Sequence, residues 1–279
     1  MNFNNFRDYN YINALIFNTL PAVPKDIDLI VGIPRSGMII ANIIGEFISK
    51  PVISVCELNQ NIQYRKFNNG SFTPLPKDIK KILLVDDAIG YGITMDNAVK
   101  FIREKNNFEI VRFVVFTEEY GKSKTDIYCS VFKDQFMPFS TMKRACDVGC
   151  FDIDGVLCED VPDSENDDGE RYIKFISNSR QMFIPDRPIH TLVSGRLEKY
   201  RAVTEDWLNR HGIQYKHLVL LNSPNNFERA KINVGDYKAD IYNRSGCLVF
   251  IESNLMEAMT IRQRTGKPVF CTKVQNMMP

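Results

Sequence analysis

Histidine is scarce in this 279-residue chain, with three in all and none near the Cys146, Cys150 and Cys158 group. A zinc site of mixed cysteine and histidine is therefore not expected. The seven cysteines, an odd number scattered through ordinary elements, read as reduced thiols of a cytoplasmic protein rather than as a disulfide framework. No sign of charge dominates either. Lys plus Arg number 35 against 34 Asp plus Glu, a net charge of +1, so no general field draws in nucleic acid. The apolar runs stop well short of a membrane span. Met1 to Tyr11 is polar and aromatic rather than basic then apolar, so no secretory leader is expected. Internal repeats and coiled-coil heptads are missing too. These absences leave a cytoplasmic protein with small-molecule substrates and neither nucleic acid nor membrane as partner, and a homo-oligomer is compatible with them. The length suits one large domain or two of ordinary size.

The densest chemistry lies in KKILLVDDAIGYGIT, Lys80 to Thr94. Ile82 to Val85 predicts a short buried strand, followed by Asp86 and Asp87 and a loop punctuated by Gly90 and Gly92. In an open α/β sheet, ligands bind beyond the carboxyl ends of the strands, where two acids can hold a cation or a sugar diol. The glycines let backbone N–H groups turn inward, and Thr94 adds a hydroxyl where a helix over Met95–Glu104 begins. Loop amides and a helix N-terminus suit a phosphate. On local grounds alone, a strand and an acidic turn account for the run equally well. Upstream, Tyr9–Leu20 predicts a helix ended by the Pro21–Pro24 segment. Ile27–Ile33 then predicts a strand that leads through Pro34, Arg35, Ser36 and Gly37 into an apolar helix, Met38–Ile48. That βα unit also suits an anion.

The run VDDAIGYGIT resembles the phosphoribosyl-diphosphate motif of the type I phosphoribosyltransferases, and VGIPRSGM resembles their diphosphate loop. The resemblance implies that Asp86 and Asp87 meet the ribose hydroxyls. It implies that Ala88, Ile89, Gly90, Tyr91, Gly92, Ile93 and Thr94 cradle the 5′-phosphate, and that Arg35, Ser36 and Gly37 grip the leaving diphosphate. Tyr91 departs from the family, which usually has a small hydroxyl residue there. Asn59–Pro76 reads as an exposed hairpin or insertion. It matches the family's mobile loop, which implies Arg65 and Lys66 as groups that neutralise departing diphosphate. Tyr128–Phe139 reads as a strand and aromatic core. By the same resemblance, Phe136 or Phe139 is a hood that stacks on a planar base.

A second centre is CFDIDGVLC, Cys150 to Cys158. Strand alternation sends Asp152 and Asp154 to one side and Ile153 to the other. Carboxylates so spaced can share Mg²⁺, or one can attack while the other handles a proton; an acidic turn is the plain alternative. The run resembles motif one of the haloacid-dehalogenase-like phosphatases. That implies Asp152 as the nucleophile of an aspartyl-phosphate and Asp154 as general acid, then base. Ile189–Val193 followed by Ser194, Gly195 and Arg196 resembles motif two, with Ser194 on the phosphoryl group. Lys238 matches the phosphate-neutralising lysine of motif three, with Lys231 competing. Motif four is matched imperfectly, since Glu252 replaces the usual aspartate and Ser253 follows it. Glu257 reads either as a further metal-directed acid or as an exposed helix residue. The implied Mg²⁺ ligands are Asp152, Asp154, Glu252 and Glu257. Glu198–His211 predicts a helix that buries Trp207 and Leu208, Lys216–Leu221 a strand, and Val269–Cys271 a final edge strand. Glu159–Pro188 is acidic and turn-rich, a small cap too short for a large lid.

The expected fold class is α/β in two domains, each a mostly parallel sheet flanked by helices. Residues 1–145 are expected to be phosphoribosyltransferase-like and residues 146–279 a Rossmannoid of the haloacid-dehalogenase-like kind. The order resembles that of bacterial proteins that fuse the two. The implied function is double: Mg²⁺-dependent transfer between phosphoribosyl diphosphate and a nitrogenous base, and Mg²⁺-dependent hydrolysis of a nucleotide or phosphoribosyl phosphomonoester. A regulator that senses phosphoribosyl diphosphate or a nucleotide without turnover is the other class; the balanced charge gives no support to a nucleic-acid face.

Overall fold

The computed structural model describes residues 2–58, 60, 63–65, 72–76, 78–132 and 137–279. The chain forms two compact units, residues 9–135, and residues 1–8 together with 136–279. This division differs from a boundary at 145/146. Phe3 and Phe6 lie in the same core as Phe151 and Trp207, and Ala145 joins them there.

The N-terminal unit contains α1 (Tyr9–Thr19), β1 (Leu29–Gly32), α2 (Ser36–Ile48), β2 (Val52–Ser54), β3 (Gln63–Arg65) and β4 (Phe72–Pro74). It continues with β5 (Lys81–Ile89), α3 (Ile93–Arg103), β6 (Glu109–Thr117) and β7 (Ile127–Val131). Its main sheet is parallel throughout, in the order β2-β1-β5-β6-β7. Strands β3 and β4 form the expected hairpin, antiparallel with Tyr64 opposite Thr73. Helix α2 buries Gly37, Ile40, Ala41, Ile44 and Gly45, the i, i+3, i+4, i+7, i+8 stripe of a core-facing helix. An added Cβ on Gly45 would fall on Val52 and near Ile30, so α2 covers the Ile30 face. Met95, Ala98 and Ile102 of α3 cover the other face with Leu29, Val31, Ile82 and Leu84. Alternation along β1 therefore serves both layers.

Strand β5 runs four residues past the expected end at Val85. Its neighbour β6 continues beside it, pairing Asp86 with Val114, Ala88 with Phe116 and Ile89 with Thr117. On its other side β1 stops at Gly32, opposite Val85. The chain passes from β1 outward to β2, then returns to β5 on the far side of β1. The strand order thus reverses between β1 and β5, and such a switch point opens a crevice at the carboxyl ends.

The C-terminal unit contains α4 (Pro138–Ala145), β8 (Gly149–Phe151), α5 (Glu170–Asn178), β9 (Ile189–Leu197), α6 (Arg201–Arg210) and β10 (Tyr215–Leu221). After these come α7 (Asn226–Arg229), α8 (Val234–Arg244), β11 (Val249–Glu252), α9 (Leu255–Thr265), β12 (Val269–Cys271) and β13 (Asn276–Met277). The sheet order is β10-β9-β8-β11-β12-β13, parallel except for β13. Buried β12 is not the edge strand expected; β13 covers it. Trp207 and Leu208 of α6 pack on Phe151, Leu192 and Ile251. Ala239 and Tyr242 of α8, with Ala258 and Ile261 of α9, pack on Cys150, Val193 and Phe250. Here too the order reverses, with β9 on one side of β8 and β11 on the other. The crevice that follows opens at Asp152. Among the described residues, no helix is long and apolar enough to cross a membrane.

Candidate active sites

In the N-terminal unit, the crevice brings together the turn after β1 and the far end of β5. The Ile33 amide donates to the Val85 carbonyl at 2.9 Å, which ties the turn to the strand. The peptide bond between Pro34 and Arg35 is cis. Helix α2 starts at Ser36, two residues earlier than the apolar pattern suggests, so Ser36 and Gly37 form its first turn. An added Cβ on Gly37 would sit 2.7 Å from the Val85 carbonyl oxygen and 3.0 Å from Asp86 Oδ1. Only glycine lets the helix end come this near the acid.

Asp86 is buried, and its Oδ1 accepts the Asp87 amide at 2.9 Å. Burial first, and the charge of Asp87 second, push its carboxyl up to about 8. A neutral acid there offers a diol both a donor and an acceptor. Asp86, Ala88 and the loop from Ile89 through Met95 line a cavity of ≈ 180 Å³. Asp87 is not among those lining residues, although its carboxyl lies close enough to that of Asp86 to act on it. Gly92, at φ 83, caps α3, and its carbonyl accepts the Asp96 amide. Tyr91 does not fill the cavity. It is 78% exposed and stacks on Tyr120, with ring centroids 4.8 Å apart. Arg35 is exposed and Ser36 half-buried. Lys66 and Phe136, and the side chain of Arg65, lie outside the described residues. Phe139 belongs to α4 of the C-terminal unit rather than to the unit that holds these loops.

In the C-terminal unit, Asp152, Asp154, Ser194, Lys238, Glu252 and Glu257 all line one cavity of ≈ 310 Å³. Lys238 rises from α8 into the acids. Its Nζ lies 2.6 Å from Asp152 Oδ2 and 2.7 Å from both Glu252 Oε2 and Glu257 Oε2. Burial works to lower the Lys238 ammonium, but the three carboxylates outweigh it and hold it well above its usual range. Burial raises Asp152, with Glu252, Asp154 and Glu257 adding to it and Lys238 opposing. One ammonium thus faces three acids, Asp152 and Glu252 buried and Glu257 half-buried.

The remaining oxygens are held to different degrees. Asp152 Oδ1 accepts the Ile153 amide at 2.7 Å. Glu252 Oε1 accepts the Ser253 and Asn254 amides at 2.8 and 3.0 Å. Glu257 Oε2 has the ammonium beside it but no donated hydrogen bond, because the directions do not match. One oxygen each of Asp152, Glu252 and Glu257 lies within 4.8 Å of the others, a donor set that could hold a hard divalent cation, and the Lys238 ammonium stands beside all three acids.

Asp154 is not brought into that trio. Strand β8 ends at Phe151, so alternation does not govern the residues after it. The Asp154 carboxylate instead faces buried Arg196, whose Nη2 lies 2.7 Å from Oδ1 and whose Nε lies 3.0 Å from Oδ2. Its backbone carbonyl accepts Ser253 Oγ at 3.1 Å. At Gly155, φ 72, an added Cβ would fall on Ser253, so position 155 must stay glycine. Ser194 is fully buried, and its Oγ accepts the Arg196 amide at 3.2 Å, leaving its own O–H free to donate. Lys231 pairs with Glu228 at 2.8 Å and is not among the lining residues, so Lys238 prevails over it.

The cap contributes Asp163, Asn166 and Tyr172 to the lining, and α7 contributes Asn226 and Arg229. Arg229 and Arg196 carry no role in the sequence reading. Arg196 adjoins a recognisable Ser-Gly pair, a usable signal, whereas Arg229 stands alone in a short helix.

No family model matches the chain, and no curated protein does. Among solved structures it is similar to a purine phosphoribosyltransferase from Pyrococcus horikoshii Ot3. The identity is 17%, over 47% of this chain and 90% of that one, with a TM-score of 0.36. It is similar also to the Helicobacter pylori xanthine-guanine-hypoxanthine phosphoribosyltransferase, 14% identical over 50% and 96% with a TM-score of 0.37. A hypothetical protein from Neisseria gonorrhoeae with bound ppGpp is 18% identical over 47% and 84%, at 0.34. Likenesses at this level carry no argument about chemistry, which rests on the two crevices.

Proposed function

We propose that the protein is a two-site enzyme. The C-terminal unit hydrolyses phosphomonoesters of the nucleotide or sugar-phosphate kind through an aspartyl-phosphate. The N-terminal unit binds phosphoribosyl diphosphate and transfers its phosphoribosyl group to a nitrogenous base. The observation that carries the reading is the convergence of Asp152, Ser194 and Lys238 with Glu252 and Glu257 on one cavity at a strand-order reversal.

Asp152 attacks phosphorus in line; its Oδ–P bond forms as the bond to the leaving oxygen breaks. The Ile153 amide on Oδ1 and the Lys238 ammonium on Oδ2 fix the carboxylate for that approach. The Ser194 hydroxyl and Lys238 hold oxygens of the phosphoryl group. Asp154 must enter the first step protonated: it gives that proton to the leaving oxygen, and the carboxylate left behind, stabilised by Arg196, takes one from the water that frees Asp152. Mg²⁺ on Asp152, Glu252 and Glu257, when bound, offsets the repulsion between two anions.

In the N-terminal unit, Asp86 and the loop through Thr94 bind ribose and 5′-phosphate, while the α2 turn at Ser36 and Gly37 offers amides to the diphosphate. The contact between Gly37 and Asp86 supports this, since it holds both loops at one point.

The test is incubation of the protein with Mg²⁺, phosphoribosyl diphosphate and a panel of bases, read by mass spectrometry, beside phosphate release from nucleoside and sugar monophosphates. Asp152→Asn is expected to lose phosphate release by at least about 10³-fold and to keep the transfer. Binding of phosphoribosyl diphosphate with neither transfer nor phosphate release would favour the sensor instead.

A further inference from the structure

Arg229 ends α7, and its Nε donates to the Gly195 carbonyl at 2.9 Å. The guanidinium is thereby fixed beside the residue that follows Ser194, on the wall of the Asp152 cavity. Helix α7 is itself held from the cap side. The Asn226 amide donates to Asp168 at 3.1 Å, and Asn226 Nδ2 donates to Asn166 at 2.9 Å. Among the described residues no carboxylate pairs with Arg229, and no other hydrogen bond uses its Nη1 or Nη2. The other cations of the cavity are committed, Arg196 to Asp154 and Lys238 to three acids. A guanidinium with a free planar fork suits two-point capture of a carboxylate or a phosphate.

The guanidinium stands where the cap meets the cavity: Asn166 and Tyr172 of the cap and Asn226 of α7 line the same wall, whereas Lys238 is ringed by Asp152, Glu252 and Glu257. We infer that Arg229 binds a second anionic group, on the leaving part of the substrate, so that the preferred substrates are phosphomonoesters that also carry a carboxylate or another phosphate. The inference rests on the phosphatase reading of this site.

Phosphate release by the full chain with Mg²⁺ is compared within two matched pairs: glycerol 3-phosphate against 3-phosphoglycerate, and ribose 5-phosphate against ribose 1,5-bisphosphate. The wild type should favour the doubly anionic member of at least one pair by about 10- to 100-fold in kcat/KM, and that pair identifies carboxylate or phosphate. Arg229→Gln should bring the ratio close to one, and Arg229→Lys should restore part of it, which a loss of fold would not do. A ratio that Arg229→Gln leaves at its wild-type value overturns the assignment. Calorimetry with two anions that cannot be hydrolysed, phosphonoacetate and methylphosphonate, gives a readout without turnover. Tighter binding of phosphonoacetate, by about tenfold and dependent on Arg229, supports the anion site even in a protein that hydrolyses nothing, and only the phosphatase reading then fails. Equal binding of the two by the wild type overturns the anion site.

Discussion

Arg196 and Asp154 form a two-point pair, Nη2 to Oδ1 at 2.7 Å and Nε to Oδ2 at 3.0 Å, with the Arg196 side chain wholly buried. Burial works against the guanidinium, yet Asp154 raises it above its ordinary range, so it stays charged. Arg196→Met strands the Asp154 charge and Asp154→Asn strands that of Arg196. Each is expected to cost about 3–5 kcal/mol, the range for breaking a buried pair. The double variant removes both charges and should recover about 1–3 kcal/mol relative to additivity. Urea unfolding of the four proteins checks this, and strictly additive losses would show that the pair is not coupled.

Lys238 is the counter-charge of three acids, so Lys238→Met leaves them facing one another. The loss should be about 3–5 kcal/mol in the presence of EDTA. Mg²⁺ can replace the missing charge without having to compete with the ammonium. Its stabilisation, about 2.7 kcal/mol at a hundredfold excess over Kd, should therefore appear at lower Mg²⁺ in the variant than in the wild type. Thermal unfolding over a Mg²⁺ series makes the measurement. A Tm independent of Mg²⁺ in both proteins would remove the metal from this site.

The sequence is most legible where an apolar run stops at the chemistry. Strand β8 stops at Phe151 and Asp152 follows; β11 ends on Glu252, and β9 contains Ser194. Periodicity fails where contacts are distant in sequence. Phe3 and Phe6 join the core of Phe151, which no local pattern reports. The same holds for Phe139, in an aromatic run that breaks into β7 and α4. Asp154 was expected beside Asp152 because alternation puts both on one face, but alternation needs a strand, and the strand has already ended. The two acids of β5 lie within the strand, which continues beneath them to Ile89, yet their carboxyls stay close enough for Asp87 to raise Asp86.

Gly37 is the point where α2 meets β5. Gly37→Ala would press its Cβ to 2.7 Å from a backbone oxygen, Val85 O, which cannot swing aside as a side chain does. A cost of about 1–3 kcal/mol is expected, with the first turn of α2 displaced. Affinity for phosphoribosyl diphosphate should fall with it, measured by calorimetry alongside unfolding. An alanine variant with wild-type Tm would mean that the helix end is free to retreat.

Asp86 makes stability depend on pH. Its folded carboxyl titrates at about 8 against an ordinary 3.8, chiefly through burial and then through Asp87. Between those two values the native state holds a proton that the unfolded chain has released. Stability must therefore fall as pH rises through this window, by at most about 1.4 kcal/mol per pH unit, and level off above it. Below about pH 4 both states are protonated and Asp86 contributes no slope. Asp86→Asn removes the titrating group while keeping an acceptor for the Asp87 amide. Its Tm should match the wild type near pH 4 and exceed it by a growing margin toward pH 8. The same change should weaken binding of phosphoribosyl diphosphate if, as the proposed function has it, this acid meets the ribose. Melting curves of both proteins from pH 4 to pH 9, with calorimetry at pH 7, test the two effects together. Parallel Tm profiles would mean that Asp86 is ionised in the folded chain, and its role toward a diol would then be that of an acceptor alone.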